Sequence, residues 1–452
     1  MKISIKNFKT IKELNGFDFN SINVISGVNS SGKTSFIQFL LLLKQTVEAQ
    51  LANPSLVFNG DLISLGDYDD LVYKKDCGNE IEFEIEFNDD DLDEKIAKHP
   101  AYLIKNLTIN IKHSLENKNV VLKMIRFKCS SVFENKEKLH SIEFRHNNGK
   151  YDIDTDTQLF GNFMPILDEN NNLKPIQNAT LSFNSFVPLT LVNEDIADEI
   201  KTQNILHFLN NYFTNISYIG PLRAEPSDLY SRNKKNKDIG SKGEYAAQFF
   251  ESEADSNVSF FDIEANKIKE MRLSNAVKHW ICDVFKLAKD IKAEKYKDSY
   301  VVKVVNHYGV ESTIRQVGFG ISQVLPIIVE GLRMDKKGIL ILEQPEIHLH
   351  PKVQSLLFDF IYSLSLTGKQ FVIETHSDHF ITRMRRRVAE SDDNLEKKIN
   401  LVFVEEKETE HSFHKLDLDE MGTFSYFPAD FVEQTEDFHK IIMAQAKKAK
   451  GD

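Results

Sequence analysis

Runs in which apolar and polar residues alternate occupy the first 26 residues and much of the stretch from about 80 to 190. They include "INVIS" near the start and "EIEFEIEF", "LTINIKH" and "VVLKMIRFKCSSVF" further on. Alternation with a period of two residues indicates β-strands that bury one face. Clusters of Asn, Asp and Gly separate the later runs, as turns between strands do. The chain is therefore predicted to begin with strands and to carry a β-rich insertion.

Helical periodicity follows the first strands in "SFIQFLLLLKQTVEAQ" and returns in "NILHFLNNYF". We also predict helix over 257–295, followed by a strand and turn in "YVVKVVNHYG". The last third then alternates: strand 338–343, helix from about 352 to 366, strand 369–375, helix 378–390 and strand 399–405. This alternation predicts a parallel sheet with crossover helices.

The predicted fold is α/β, with mixed sheet and crossover helices plus the β-rich insertion. Four segments are predicted: an N-terminal lobe at 1–80, the insertion at 81–200, the rest of the main domain at 201–410 and a C-terminal helical segment at 411–452. The polar and charged stretch 231–244 is predicted to be an exposed loop. No sustained heptad pattern is present, so no long coiled coil is expected.

Composition narrows the functional classes. The net charge of −12 argues against non-specific binding of nucleic acid over the whole surface. Three widely separated cysteines show neither a disulfide nor a zinc spacing, which suits a reducing compartment. The apolar stretch "FIQFLLLLK" is too short to cross a membrane. A cytoplasmic protein that does not insert into membranes is expected.

The segment "GVNSSGKT" matches the phosphate-loop pattern G-x-x-x-x-G-K-[ST] at every fixed position, between a strand and a helix. Glycines let the backbone N–H groups face phosphates, and the helix N-terminus adds a positive dipole. Lys33 is predicted to reach the β- and γ-phosphates, and Thr34 to hold Mg²⁺. The predicted ATP-binding residues here are Gly27, Asn29, Ser30, Ser31, Gly32, Lys33, Thr34 and Ser35.

Three further segments follow the phosphate loop in a fixed order. "GFGISQVLPI" places Gly320, Ser322 and Gln323 at the start of an apolar helix, although a turn capped by Ser322 would explain it nearly as well. "GILILEQPEIHLHP" ends a buried strand in Glu343, and "FVIETHSDHF" places His376 after the next strand. Taken alone, His376 is equally consistent with an ordinary surface or core histidine.

With these pieces in order, the chain resembles the ABC-type (SMC-like) AAA ATPases of bacterial anti-phage defence operons. "KISIKNFKTI", "FNGDLISLGDYDDLV", "YIGPLRAEP" and "FSYFPADFVEQTEDF" extend the resemblance over nearly the whole chain. The ATPases of the Septu and PARIS systems are similar to it. The resemblance implies an ABC-type ATPase head in which Gly320, Ser322 and Gln323 bind the nucleotide of a neighbouring subunit. It also implies that Glu343 holds Mg²⁺ as the Walker B acid and that His376 is a switch histidine.

Gln344 stands where ABC-type ATPases carry the glutamate that activates the attacking water. An amide can orient water but cannot accept its proton, so hydrolysis is predicted to be slow. Glu346, His348 and His350 are nearby substitutes, although "IHLHP" is better explained as a structural turn than as a metal site. The spelling "EQPE" resembles a natural variant of the group more than an exchange introduced to trap ATP.

Arg223 and the basic cluster at 383–387 each have two possible roles. Arg223 reaches either phosphate or a local carboxylate, and "RMRRR" at 383–387 is either a solvated helix face or a contact for an anionic partner. The cluster "RNKKNK" at 232–237 is interpreted as part of the exposed loop.

The leading functional hypothesis is a head-to-tail homo-oligomeric ATPase that controls a separate effector, expected to be a nuclease encoded by an adjacent gene. Any contact with nucleic acid would then be indirect. The alternatives are a non-hydrolysing ATP-binding scaffold, a DNA-repair or SMC-like ATPase, and a transporter subunit. The missing coiled coil disfavours the repair ATPase, and the large insertion disfavours the transporter subunit.

Overall fold

The computed structural model describes most of the chain. The described residues are 1–27, 32–52, 55–92, 98–99, 102–116, 119–133, 136–155, 166–167, 173–174, 176–193, 196–199, 203–232, 238–391, 394–407 and 410–425. They fall into two compact units: the first comprises 1–19, 34–214 and 406–412, and the second comprises 20–33, 215–405 and 413–452. This division differs from the four predicted segments, because the first strands share a unit with the β-rich insertion.

The first unit is built on a sheet of eleven strands among the described residues. In order along the sheet they are β14 (Ile196–Glu199), β13 (Val187–Asn193), β12 (Ile176–Asn184), β9 (Lys150–Thr155), β8 (Lys136–Asn147), β7 (Asn119–Phe133), β6 (Tyr102–Glu116), β4 (Ile81–Asn88), β1 (Lys2–Phe8) and β2 (Ile11–Asp18), with β5 (Lys98–His99) beside β6. Alternate residues of β4 are buried, as the "EIEFEIEF" pattern predicts. The predicted β-rich insertion is thus confirmed and is continuous with the N-terminal strands.

Three α-helices and one small hairpin accompany this sheet, together with a 3-10 turn at Tyr73–Lys75. They are α1 (Lys33–Ala49), α2 (Tyr68–Leu71), α3 (Gln203–Thr214) and the pair β10 (Ile166–Leu167) and β11 (Leu173–Lys174). Phe39 of α1 packs edge-on against Phe8 and Phe83 of the sheet, with ring centroids 5.6 and 5.2 Å away. This aromatic contact fixes the helix that follows the phosphate loop.

The second unit contains a sheet in the order β15 (Ile216–Ile219), β22 (Ile339–Glu343), β23 (Gln370–Glu374), β3 (Ile22–Gly27), β24 (Ile399–Lys407) and β25 (Glu410–Lys415). The pairs from β15 to β24 are all parallel. The carboxyl ends of β15, β22, β23 and β3 therefore meet at one edge, which is the ligand-binding edge of such sheets. The predicted alternation of strands and crossover helices after residue 338 is confirmed.

Three helices connect or precede these strands: α6 (Phe319–Arg333), α7 (Pro351–Ser365) and α8 (Asp378–Glu390). Every residue of α6 from Ile321 to Leu332 is buried, so this helix lies inside the core rather than on its surface. His350 caps α7 and Ser377 caps α8, each through its side chain. These caps fix where the chain leaves the binding edge.

The prediction of helix over 257–295 is wrong for most of that stretch. It contains the hairpin β17 (Asn257–Asp262) and β18 (Lys267–Arg272), the short helix α5 (Leu273–Lys278), a π-helical turn at His279–Val284 and the start of β19 (Asp290–Tyr296). The Asp262 side chain accepts hydrogen bonds from two turn N–H groups at 2.9 Å, and Asn266 adopts a φ of 50°. These turn residues close the hairpin and override the helical pattern.

The remaining elements of the second unit are short. They are α4 (Ala246–Ser252) and the sheet of β16 (Tyr230–Ser231), β20 (Ser299–Val305), β19 and β21 (Glu311–Thr313). β20 confirms the strand predicted in "YVVKVVNHYG".

The loop predicted at 231–244 and the predicted C-terminal segment are only partly within the described residues. Part of the predicted loop 231–244 is not exposed, because Ile239 is buried and the Ser241 and Lys242 carbonyls accept bonds from Gly220 and Ala224. Residues 233–237 and most of the C-terminal segment, 426–452, lie outside the described residues.

The longest described helix, α1, has 17 residues, so the described part of the chain contains no long coiled coil. None of its helices has the length and apolar character needed to span a bilayer.

Candidate functional site

The phosphate loop leaves the sheet at Gly27, the last residue of β3. Gly27 has a φ of 144°, and a Cβ there would lie 2.2 Å from the carbonyl oxygen of Val404 on β24. Only glycine fits so close to the neighbouring strand. Gly32, with a φ of 95°, likewise needs the freedom of glycine. Residues 28–31 lie outside the described residues, and with them the predicted ligands Asn29, Ser30 and Ser31.

Lys33 opens α1 and is 3% exposed. Its Nζ donates to the Gly27 carbonyl at 3.1 Å, which ties the two ends of the loop together. Burial lowers the pKa of Lys33, and attraction to Glu374 partly opposes this. A buried ammonium at the mouth of a glycine loop is suited to bind phosphate oxygens.

Thr34 and Ser35 follow directly in α1 but belong to the first unit. The hydroxyls of Ser35 and Thr10 are hydrogen-bonded at 2.8 Å. A metal-binding role for Thr34 and a nucleotide-binding role for Ser35 stay predictions.

Two buried carboxylates face the same edge of the sheet. Glu343 and Glu374 end the neighbouring strands β22 and β23, pair in register, and are 7% and 3% exposed. Burial, reinforced by the charge of Glu374, raises the pKa of Glu343 to about 7. Sequence analysis missed Glu374, although the strand ending "FVIE" repeats the pattern of "ILILE". Two such carboxylates side by side favour binding of a cation.

Tyr218 was also missed. It lies on β15, and its hydroxyl donates to Oε1 of Glu343 at 3.1 Å. This bond favours the charged form of Glu343 and partly opposes the effect of burial on its pKa. No local sequence signal marks Tyr218, because the contact depends on which strand pairs with β22.

Both backbone groups of Gln344, its N–H and its carbonyl, form hydrogen bonds. Its N–H donates to the Glu374 carbonyl at 2.8 Å, and its own carbonyl accepts from Arg223 and from the N–H of Ile347, both at 3.2 Å. Its φ of 43° is in the left-handed region, which is uncommon for a residue with a side chain and is often found at functional sites. The position predicted to orient water is therefore rigid.

Arg223 is 7% exposed, and the charge of Glu346 acts on it. Beyond its bonds to the carbonyls of Gln344 and Pro221, its Nε and second Nη have no hydrogen-bond partner in the described part of the chain. Burial lowers the pKa of Arg223 to about 10. Its hydrogen bonds are to backbone carbonyls, while the charge of Glu346 partly opposes the effect of burial on its pKa; both predicted roles stay predictions.

Glu346 links the turn after β22 to the loop after β23. Its Oε1 accepts from the backbone N–H of His376 at 2.7 Å. Its other oxygen is buried and has no hydrogen-bond partner among the described residues, and burial raises its pKa. Glu346 thus holds the loop that carries His376 in place.

The His376 side chain itself is exposed at the binding edge. Partial burial lowers the pKa of His376, and the positive charge of Lys33 lowers it further. Both effects favour the neutral imidazole. The loop is also fixed by a bond from Thr375 N–H to the Ile25 carbonyl at 3.1 Å and one from Ser377 to Gln354 at 2.6 Å. Lys33 and His376 are therefore close enough to influence each other electrostatically.

The histidines of "IHLHP" are not arranged as metal ligands. Nδ1 of His350 accepts from the N–H of Lys352 at 3.3 Å, as a helix cap. His348 has a φ of 62°, and its ring lies 6.3 Å from that of Phe319. Within the described ranges, no group of three or more His, Cys, Asp or Glu side chains could hold a metal ion.

The turn that opens α6 presents backbone rather than the predicted serine. Ser322 is 6% exposed, and its hydroxyl donates to the Phe319 carbonyl at 2.8 Å; Gln323 is also buried. A Cβ at Gly318 or Gly320 would meet nothing within 4 Å, and Phe319 is 61% exposed. In this conformation, contact with a second subunit at this end of the helix would involve Gly318, Phe319 and Gly320.

The arginines of "RMRRR" are engaged inside the second unit. Arg383 and Arg387 pair with Asp359, Arg386 pairs with Glu390, and Arg385 bonds the Gly422 carbonyl and lies over the Phe424 ring. The cluster joins α8 to its neighbours, so the solvated-face interpretation is only partly correct. An anionic partner would have to compete with these contacts.

The residues at the binding edge fit a Mg²⁺-nucleotide. Lys33 supplies a buried cation for phosphate, and Glu343 beside Glu374 supplies negative charge for a divalent cation. Mg²⁺ commonly binds through one or two carboxylates together with phosphates and water. The small number of protein ligands at this edge agrees with that mode of binding.

Comparison with known proteins gives one family match. The family model described as "AAA ATPase domain" matches residues 1–381. No curated protein matches the chain. Three solved SMC head structures are similar in fold over most of both chains. The SMC head domain from Thermotoga maritima is 9% identical, with 92% of this chain and 98% of that chain covered and a TM-score of 0.37. An SMC head bound to the C-winged helix domain of ScpA is 11% identical (93% of this chain, 98% of that chain, TM-score 0.39), and one with an extended coiled coil bound to the C-terminal domain of ScpA derived from Pyrococcus furiosus is 13% identical (98% of this chain, 98% of that chain, TM-score 0.37). At TM-scores below 0.5, that likeness carries no argument about this chain.

Proposed function

The chain belongs to the family of AAA ATPase domains, and we propose that its ATPase is slow and serves as a switch for a separate protein. The observation that carries the proposal is Gln344, held rigidly next to Glu343 where an ABC-type ATPase has its general base. Positioning and charge stabilisation are sufficient for some hydrolysis, since phosphoryl transfer depends mainly on them. The missing base removes a contribution of roughly 10²–10⁴-fold.

Each residue has a defined part in this mechanism. Lys33 binds the terminal phosphates and neutralises their charge. Glu343 would hold Mg²⁺, which would supply further charge neutralisation. The Gln344 amide orients the attacking water, and His376 contacts the γ-phosphate from the neighbouring strand end. The proton of the water then passes to phosphate or solvent, because the amide cannot accept it.

Gln344→Glu is expected to raise ATP turnover by roughly tenfold or more, since it restores a base at a position whose backbone is already fixed. Phosphate release at saturating ATP measures this effect. Gln344→Ala is the matched control, and it should lower turnover without changing ATP affinity. Fast turnover by the wild type, unaffected by either substitution, would show that another group activates the water.

We further propose that ATP joins subunits head to tail through the Gly318–Gly320 turn. Its support is the resemblance of "GFGISQ" to an ABC signature, together with the open space around these glycines. The surface is compatible with a partner that approaches backbone closely.

Gly320→Arg is expected to block ATP-dependent association while leaving ATP binding by the single subunit intact. A Cβ at Gly320 would meet nothing within 4 Å, so the fold should tolerate a side chain at this position. Light scattering with and without ATP measures the oligomer. Asn275→Arg, an exposed position on α5, is the control for added charge. Equal association by Gly320→Arg and wild type would place the interface elsewhere.

The regulated partner is proposed to be an effector encoded by an adjacent gene, in the first instance a nuclease of a cytoplasmic anti-phage system. Support comes from the resemblance to defence ATPases and from the lack of any recognised effector motif in the sequence. The acidic net charge of −12 disfavours bulk DNA as the first contact. Co-expression with the adjacent gene, followed by a pull-down with and without ATP, separates this arrangement from an ATPase that acts alone.

A further inference from the structure

The side chain of Glu343 has one hydrogen-bond partner among the described residues, the hydroxyl of Tyr218. β15 runs parallel to β22, with Tyr218 paired to Ile341 and Ile219 paired to Leu342. This register brings the phenol to the carboxylate two residues further along the neighbouring strand. The bond occupies Oε1 and leaves Oε2 for another ligand.

The phenol of Tyr218 lies close beside the backbone of Gly220, in space that a side chain at that position would take. A Cβ at Gly220 would lie 2.9 Å from the hydroxyl oxygen and 3.4 Å from Cζ. The backbone at Gly220 is fixed in turn, because its N–H donates to the Ser241 carbonyl at 2.8 Å. A donor that packs beside hydrogen-bonded backbone constrains its acceptor better than a mobile one would.

We propose that Tyr218 is a positioning residue of the hydrolytic centre. Its hydroxyl sets the orientation of the Glu343 carboxylate, so that the free oxygen faces the position of the metal and the phosphates. Metal-ligating carboxylates are commonly held by such hydrogen bonds, and loss of one typically weakens metal affinity by about 10–100-fold. The inference rests on the proposed role of Glu343 as a metal ligand.

The test uses the full chain with ATP and Mn²⁺ as a spectroscopic probe for the divalent cation. Tyr218→Phe removes one oxygen and keeps the ring that packs against Gly220. We expect the Mn²⁺ affinity of the ATP-bound protein, measured by electron paramagnetic resonance, to fall roughly tenfold. ATP affinity in EDTA should stay within twofold of wild type. At saturating Mn²⁺, kcat should fall more than the KM for ATP rises.

Three further variants separate this role from a general effect on folding. Tyr300→Phe, at a buried tyrosine on β20, should leave Mn²⁺ affinity unchanged. Gly220→Ala should reproduce the loss, because it displaces the phenol while keeping the hydroxyl. Tyr218→Phe added to Glu343→Gln should have little further effect, since the oriented carboxylate is already gone.

Unchanged Mn²⁺ affinity and turnover in Tyr218→Phe, with both lost in Glu343→Gln, would overturn the role of Tyr218 and leave the proposed function standing. Unchanged Mn²⁺ affinity in Glu343→Gln would overturn the metal-binding role of Glu343 and the inference together. A lower melting temperature of Tyr218→Phe without nucleotide, combined with wild-type Mn²⁺ affinity, would show that the hydroxyl contributes only to stability.

Discussion

Lys33→Ala is expected to weaken ATP binding by roughly 100-fold or more, because a buried cation that faces the phosphates contributes several kcal/mol. The side chain is 3% exposed and lies at the start of α1, beside Gly27. Burial lowers the pKa of Lys33, and the charge of Glu374 partly opposes this. Removing the side chain should affect the free protein much less than the nucleotide complex. Titration with a fluorescent ATP analogue measures the affinity.

Thermal unfolding gives a second readout of the same substitution. At a ligand concentration 100 times the Kd, binding stabilises the native state by about 2.7 kcal/mol, and this gain should nearly vanish in Lys33→Ala. Lys352→Ala, at an exposed lysine in the first turn of α7, is the matched control and should keep the full ATP-induced shift. ATP affinity within threefold of wild type for Lys33→Ala would reject the phosphate-loop assignment.

The last third of the chain was predictable because its pattern is unambiguous. The buried strands β22 and β23 are apolar runs that end in a glutamate, and the helix predicted at 378–390 is the helix observed. Parallel strands covered on both faces give such runs, and helix caps mark the exits. The glycines of the predicted phosphate loop were recognisable for a similar reason, since Gly27 and Gly32 both adopt a positive φ that favours glycine.

The residues that sequence analysis missed depend on contacts between distant segments. Tyr218 reaches Glu343 only because β15 pairs with β22, and the two hydrogen-bonded residues are 125 positions apart in the sequence. Glu374 matters because β23 lies between β22 and β3 in the sheet. Strand order and register cannot be deduced from the local pattern of one sequence. The same limit applies to the arginines of α8, whose main partner lies on a different helix.

Contacts between the two strand ends also affect how variants of Glu346 are interpreted. Glu346 holds the backbone of His376, and the Glu374 carbonyl holds the backbone of Gln344. Loss of turnover in Glu346→Ala would therefore not identify Glu346 as the base, because the loop that carries His376 would lose its support. Glu346→Gln keeps an acceptor oxygen and removes only the charge. A comparison of the two variants separates a proton-transfer role from a bracing role.

Asp359→Asn is expected to lower the free energy of unfolding of the second unit by about 3 kcal/mol, because it leaves two arginines without their shared counter-charge. Asp359 lies on α7, is 3% exposed, and receives bonds from Arg383 and Arg387 of α8 at distances from 2.5 to 3.1 Å. The chain has a single tryptophan, Trp280, and its ring lies 4.9 Å from that of Phe360, the residue after Asp359. Urea denaturation followed by tryptophan fluorescence therefore reports on this region directly.

Glu390→Gln is the matched control for Asp359→Asn. Glu390 pairs with Arg386 and Arg387 on the same helix, but its side chain is 41% exposed, and such surface pairs contribute only about 0–1 kcal/mol. A large loss for Asp359→Asn and a small one for Glu390→Gln would establish that the basic cluster fastens α8 to α7 and so supports the His376 loop. Equal stabilities for Asp359→Asn and wild type would show that the arginines do not depend on Asp359. In that case the four arginines of "RMRRR" could serve an anionic partner, and heparin-affinity retention of wild type against Arg383→Gln would be the next measurement.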